Sequence, residues 1–399
     1  MNGRAIKACG IPSLFILVLM ISVGPFGDTI YAPSLPSIQQ AFNTQYHYVQ
    51  LTITFYLLGY SISQLLYGPF SDRYGRKPIM VIGAIIFLIG SGICLFSQNI
   101  LMLIAGRFVQ GFGACAGAVI SSAAVRDAFP SNMQGRMFAK MNIAFAIAPG
   151  LGAITGTFIS WQINFIVLFI LAIMLTICVL FMLPETLKQK NKGATRPIRL
   201  IKNYMKLFIT KGYLVYLLLL GLNMGMIYSC LVEAPALVIN LMQLSKPWFI
   251  VIAAGIVLAF MCGSILCNWL CHHLRHHYII LIGFIVSLAG GMIMLIFSSL
   301  GIIRLTTLLL PIIVIFIGIS FVVPLATAKA LKPFDTIAGS ASAMMGFFQM
   351  GMASLITALV TVLHIGYTYT MPVTFVVLSL TGIIIFSLYL LSGLFIKKR

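Results

Sequence analysis

Apolar runs of about 20 residues follow one another along almost the whole chain, each the length a helix needs to cross the hydrocarbon of a bilayer. Hydrophobic residues fill 61% of the 399 positions and charged residues only 8%, spread along the length rather than held in one block. Hydrocarbon offers no hydrogen-bond partners, so a spanning backbone must satisfy itself in a helix or a closed barrel. Barrel strands are short and alternate in polarity, and these runs are neither. The sequence implies an all-α polytopic membrane protein, with spans near 11–35, 47–70, 78–97, 100–125, 135–160 and 163–183, then near 212–239, 247–271, 278–299, 302–326, 336–363 and 371–396. Arg4 and Lys7 precede the first run as in a signal peptide, but it continues through Pro25 and Asp28 without a cleavage pattern and reads as a retained span.

The net charge of +19 reports orientation rather than affinity for nucleic acid, because the cations fall in alternate loops. Loops near Gln39, Gln98 and Trp161 lack Lys and Arg, whereas Arg73, Arg76, Lys77, Arg126, Arg136 and Lys140 occupy those between. The positive-inside pattern puts the N-terminus in the cytoplasm, and an even number of spans puts the C-terminal Lys397-Lys398-Arg399 there too. A hydrophilic stretch, 184–211, carries Lys188, Lys190, Lys192, Arg196, Arg199, Lys202, Lys206 and Lys211 and separates an N-terminal half, 1–183, from a C-terminal half, 212–399. It reads as a solvated cytoplasmic linker, with binding to anionic lipid as the other reading. Cys94, Cys115, Cys178 and Cys230 lie inside apolar runs without paired spacing and read as small packing residues.

The second and third runs are joined by Gly68-Pro69-Phe70-Ser71-Asp72-Arg73-Tyr74-Gly75-Arg76-Lys77-Pro78-Ile79-Met80, a tight charged hairpin at the membrane surface. In this reading Gly68 lets two backbones approach, Gly75 permits a positive φ, and Pro78 sits in the first turn of the next helix. The spacing resembles the signature loop of the major facilitator superfamily. That resemblance implies twelve helices in two pseudo-symmetric six-helix halves, a substrate site near mid-membrane between them, and a cytoplasmic gate built on Gly68, Asp72, Arg73, Gly75, Arg76 and Asp127. Asp127 is placed to pair with Arg76, and Asp72 to face the start of the eleventh span near Thr336 to Gly339, unless Asp335 caps that span locally. Ala32-Pro33-Ser34-Leu35 and Ala234-Pro235-Ala236-Leu237 are a faint echo of the repeat.

Charges inside spans are expensive, which singles out Asp28, Arg107 and Glu233 as candidates for proton coupling. Asp28 precedes Pro33 and is either a proton carrier facing a cavity or an interfacial acid near the end of its span. Arg107 begins Arg107-Phe108-Val109-Gln110-Gly111-Phe112-Gly113-Ala114, which resembles the superfamily's fourth-helix motif linked to coupling; a structural, charge-neutralising role is the alternative. Glu233 reads as a second proton carrier, a site for a cationic substrate or a satisfied structural acid. Pro149, Gly150 and Gly152, within Ala148-Pro149-Gly150-Leu151-Gly152-Ala153-Ile154-Thr155-Gly156, resemble the antiporter-associated helix, although Gly152 and Gly156 also form a small-xxx-small packing pair. Tyr31, Tyr56, Tyr60, Gln64, Gln110, Met224 and Tyr228 are candidate substrate contacts, with helix packing as the competing role for each aromatic or Met.

Asp28 to Pro36, Val125-Arg126-Asp127, Leu183-Pro184-Glu185-Thr186-Leu187 and Ala338-Gly339-Ser340-Ala341-Ser342-Ala343 together resemble the Bcr/CflA drug-resistance transporters. That resemblance implies a monomeric multi-pass protein of the bacterial inner membrane that exports small amphipathic or drug-like molecules in exchange for protons, needs no cofactor beyond the proton gradient, and is not an enzyme. A dedicated exporter of a siderophore or amino acid is the alternative. Trp161-Gln162 departs from the family's W-R. The stretch Cys267 to His277, with His272/His276 and His273/His277 at helical spacing, replaces a second acid-bearing hairpin; it reads as a basic helix end, with zinc binding the weaker alternative.

Overall fold

The computed structural model describes residues 10–396 apart from 192, 335, 336 and 364. Arg4, Lys7, Lys192, Asp335, Thr336 and Lys397-Lys398-Arg399 lie outside the described residues. Among those described, twelve helical segments are long and apolar enough to cross a membrane. The first is α1 (Leu14–Thr29), a turn of 3₁₀ helix (Ala32–Ser34) and α2 (Leu35–Ala41) in series. There follow α3 (Tyr46–Tyr74), α4 (Arg76–Leu95), α5 (Ile100–Ala128), α6 (Ser131–Phe158) and α7 (Trp161–Met182). An extra helix, α8 (Pro197–Ile209), precedes α9 (Lys211–Pro235), which runs into a π-helical turn (Ala236–Leu241); α10 (Trp248–His273), α11 (His276–Ser299), α12 (Leu305–Leu331), α13 (Ala338–Val362) and α14 (Thr370–Ile396) complete the chain.

Local chemistry sets many of these boundaries. Asn99 Oδ1 accepts the Met102 N–H at 2.8 Å, satisfying one of the donors that a helix start leaves orphaned. The charged hairpin is helical almost throughout: α3 persists to Tyr74, α4 begins at Arg76, and Gly75 alone turns the chain, at φ +117°. Both Ala-Pro echoes mark a change of helical period. Proline has no N–H to continue the ladder, and the backbone passes to a 3₁₀ turn at Ala32 and to a π turn at Ala236.

The chain forms two compact units. One holds the chain up to Tyr31 with Phe55–Tyr204, the other Ala32–Thr54 with the chain from Met205 onward. In the first, α4 packs on α5 and α7, and α1 on α5 and α6; in the second, α11 packs on α12 and α14, and α9 on α12 and α13. The pairing rule repeats, as two pseudo-symmetric halves require. Stretch 184–211 is not a plain solvated linker, since α8 occupies its second part. Its many cations lower the average hydropathy and hide an apolar stripe at helical spacing.

Helix approach depends on glycine, because association in lipid has no hydrophobic drive and rests on packing. A Cβ on Gly111 would strike the Tyr56 carbonyl, one on Gly113 the backbone of Phe87, and one on Gly156 the Ile30 carbonyl. Gly152 sits equally close to Thr29 and Phe26, whereas Gly150 faces open space. Gly156→Val or Gly152→Val should therefore force α6 off α1, costing about 1–3 kcal/mol or more and lowering the unfolding temperature in detergent, while Gly150→Val should unfold as the parent does. Equal unfolding temperatures for all three variants would contradict this packing.

Candidate functional site

In the first unit a buried cation organises the polar groups of α1, α3, α4 and α5. Arg107 on α5 is 0% exposed. Its Nη1 donates to the Gly27 carbonyl at 3.0 Å, beside Asp28, and also to Gln110 Oε1. Gln110 Nε2 donates to Ser91 Oγ at 2.8 Å, and Ser91 in turn to the Phe87 carbonyl at 2.7 Å. The guanidinium carbon lies 4.1 Å from the ring centroid of Tyr31 and 4.1 Å from that of Tyr56. Each such contact, desolvated, contributes about 2 kcal/mol. Tyr56 Oη donates to the Gly24 carbonyl at 2.9 Å, and Tyr60 packs one turn further along α3. Asp28 itself is 5% exposed, one residue from the end of α1. The guanidinium thus bonds to the backbone carbonyl immediately before a buried acidic residue.

The second unit holds its own buried acid. Glu233, 0% exposed near the end of α9, accepts from Gln50 Nε2 at 2.7 Å. Tyr46 Oη donates to the Val232 carbonyl at 3.0 Å, the Thr54 and Thr357 hydroxyls meet at 3.0 Å, and Ser354 Oγ donates to the Thr54 carbonyl at 2.9 Å. Tyr46, Gln50 and Thr54 are spaced i, i+4, i+8 and form a polar seam along one face of α3, against α9 and α13. The hydroxyl of Tyr367, in the loop before α14, is pushed up from its ordinary value by burial first and by the Glu233 charge second.

The charged hairpin forms the third cluster. Arg76 meets Asp72 at 2.6 Å and Asp127 at 2.8 Å, and donates to Ser71 Oγ at 2.6 Å. Its backbone N–H donates to Glu185 Oε1 at 2.9 Å, and Glu185 Oε1 also accepts from the Leu187 N–H at 3.0 Å. Gly75 has no side chain to cap α4, so a carboxylate from the far end of α7 does so, at the positive end of the helix dipole. Arg73 donates to Thr195, and the Asn191 N–H to the Asp72 carbonyl at 2.9 Å, which ties the linker to the hairpin.

A profile of the Major Facilitator Superfamily matches residues 17–358. The chain belongs to that superfamily. It is a membrane transporter, not an enzyme. Multidrug resistance protein D of Escherichia coli strain K12 is 29% identical over 84% of this chain and 85% of its own length. The bicyclomycin resistance protein homolog of Haemophilus influenzae is 29% identical over 54% of this chain and 56% of its own. In fold, the crystal structure of a D-xylose–proton symporter superposes with a TM-score of 0.73 at 16% identity, covering 92% of this chain and 96% of that one.

In this member of the superfamily the sequence candidates separate into groups. Asp28, Arg107, Gln110, Tyr31, Tyr56 and Tyr60 come together in the first unit, with Gln64 half-buried one turn beyond Tyr60. Glu233, Tyr228 and the half-buried Met224 lie on α9 in the second. Pro149 and Gly150 are half-buried on α6, and Gly152 packs against α1. Gly68 does not act as expected: a Cβ there would meet nothing within 4 Å among the described residues, and its carbonyl accepts Ser71 Oγ at 2.9 Å. In the Cys267 to His277 stretch, Cys267 Sγ donates to the Phe321 carbonyl, and no group of three potential metal ligands occurs among the described residues. Gln50 and Glu185 were missed. Gln50 is legible as one of the polar residues at helical spacing in a mostly apolar span, whereas nothing local links Glu185 to Gly75, more than a hundred positions away.

Gly75→Ala would place a methyl against Glu185 at a backbone angle that only glycine adopts readily, so it should lose about 1–3 kcal/mol of stability. Gly68→Ala, in open helical space, should be neutral or gain up to about 1 kcal/mol. Thermal unfolding of the two variants in detergent checks the pair; the reverse order would refute the assigned roles.

Proposed function

We propose that the protein exports small amphipathic, drug-like molecules across the bacterial inner membrane in exchange for protons, by alternating access. The observation that carries this reading is Arg107, buried between Tyr31 and Tyr56 and bonded to the carbonyl next to Asp28. Proton exchange on Asp28 changes the field at the Arg107 guanidinium, and the two tyrosines, with Tyr60, offer an aromatic and hydroxylated surface to a drug-like molecule. Glu233 is the second proton site, and its bond to Gln50 joins protonation to the Tyr46–Thr54 seam. The hairpin knot of Asp72, Arg76, Asp127 and Glu185 is the gate on the cytoplasmic side, where both termini also lie. The names of the E. coli and H. influenzae relatives support drug-like cargo.

The test is transport in reconstituted vesicles with an imposed pH gradient and a panel of amphipathic drugs. Asp28→Asn should lose gradient-driven accumulation at least tenfold yet retain downhill exchange; full accumulation with normal pH dependence would remove Asp28 as carrier. Arg107→Lys should retain more transport than Arg107→Ala, since it keeps the charge but loses the planar fork. Equal, near-normal transport by both would exclude Arg107 from coupling.

For Glu233, Glu233→Gln keeps a hydrogen-bonding side chain and cannot titrate. It should reach the membrane at parental levels and flatten the pH dependence of export. Unaltered pH dependence in that variant would leave Glu233 a structural acid.

A further inference from the structure

From Thr186 to Val232 the chain contains no Asp or Glu, while eight Lys and Arg residues fall between 188 and 211. Helix α8 lies in the middle of that stretch, tethered on one side to α7 and on the other to α9, both membrane-spanning. Tyr204 Oη donates to the Leu65 carbonyl at 3.1 Å, roughly two and a half helical turns short of the end of α3. Burial pushes the Tyr204 hydroxyl up to about 12. That contact holds α8 beside the last turns of α3, on the side of the charged hairpin.

Its described side chains divide by face. Leu200, Tyr204 and Leu207 share the stripe turned to the protein, and Leu207 is 0% exposed. Met205, Phe208 and Ile209, exposed by 53%, 41% and 73%, form an apolar sector beside it. Lys202 and Lys206 are exposed one turn apart on the next sector. An apolar sector flanked by cations, with no acid in the surrounding sequence, is the pattern of a helix lying in a membrane interface. Phe208 packs its ring on Phe348 of α13, 5.4 Å between centroids, and a soluble acidic partner would meet the lysines but leave the more exposed Met205 and Ile209 without an apolar counterpart.

We infer that α8 is a docking site for anionic phospholipid, with Lys202 and Lys206 on the headgroup phosphate and Met205 and Ile209 in the acyl boundary beside it. The site makes the lipid a ligand of the segment joining the two halves, which neither the superfamily assignment nor the transport reading requires.

The test uses the full chain in a cysteine-free background with a fluorophore at Ile209→Cys, reconstituted into phosphatidylcholine vesicles that contain either brominated phosphatidylglycerol or brominated phosphatidylcholine at equal mole fraction. Contact quenching by the anionic lipid should exceed that by the zwitterionic lipid about fivefold, and Lys202→Gln with Lys206→Gln should bring the two together. A label at Ile170→Cys, on the lipid-exposed surface of α7, should be quenched alike by both lipids and reports correct insertion. Equal quenching at position 209 by the two lipids would overturn the anionic site, and absence of quenching by either would overturn the interfacial placement.

Discussion

Hydrocarbon offers the backbone no hydrogen-bond partner, and most of this structure follows from that constraint. It forces the chain into helices, and wherever a helix is interrupted another group must take up what is released. The two Ala-Pro breaks illustrate it. At Ala32 and at Ala236 the backbone changes helical period instead of unravelling, and Thr29 Oγ1 donates to the carbonyl of Pro25 at 2.9 Å one turn earlier. Inside such a medium a side-chain charge is expensive and needs partners. Arg107 is held by the Gly27 carbonyl, the Gln110 amide oxygen and two aromatic faces, so the buried cation and the packing of α1, α3 and α5 are one arrangement.

The same economy governs the helix seams. Where backbones touch, at Gly111 and Tyr56, Gly113 and Phe87, and Gly156 and Ile30, the small residue is there because a methyl would not fit. The motif that resembles the antiporter-associated helix thus has a concrete task here: Gly152 and Gly156 bring α6 onto the end of α1 that carries Asp28. Packing and coupling readings of those glycines are compatible, since the packing fixes where the acid sits. The polar seam of Tyr46, Gln50 and Thr54 is of another kind. Its bonds join side chains and carbonyls rather than interlocked backbones, and such bonds can be exchanged without dismantling a core.

The twelve spans, the repeat and the burial of Asp28, Arg107 and Glu233 were legible in the sequence because they depend on local quantities: run length, the scarcity of charge within a run, and the spacing of Gly and Pro. The charged hairpin was legible for the same reason, down to the positive φ of Gly75. Helix α8 was not. Its cations dominate any average over the 184–211 stretch and mask the stripe of Leu200, Tyr204 and Leu207 that turns to the protein. Gly68 failed in the opposite sense, as a local motif position beside which no described residue comes within 4 Å of an added Cβ.

What the sequence determined by itself was that this chain crosses a membrane twelve times and carries a transporter's hairpin, because hydropathy, length and turn chemistry act over a few neighbouring residues. Only the tertiary structure decided which residues meet: Glu185 with the start of α4, Gln50 with Glu233, Arg107 with the carbonyl beside Asp28. These pairs are separated by 80 to 183 positions. Their partners are selected by helix packing in three dimensions, and nothing in the spacing of one segment encodes which face of another will lie against it.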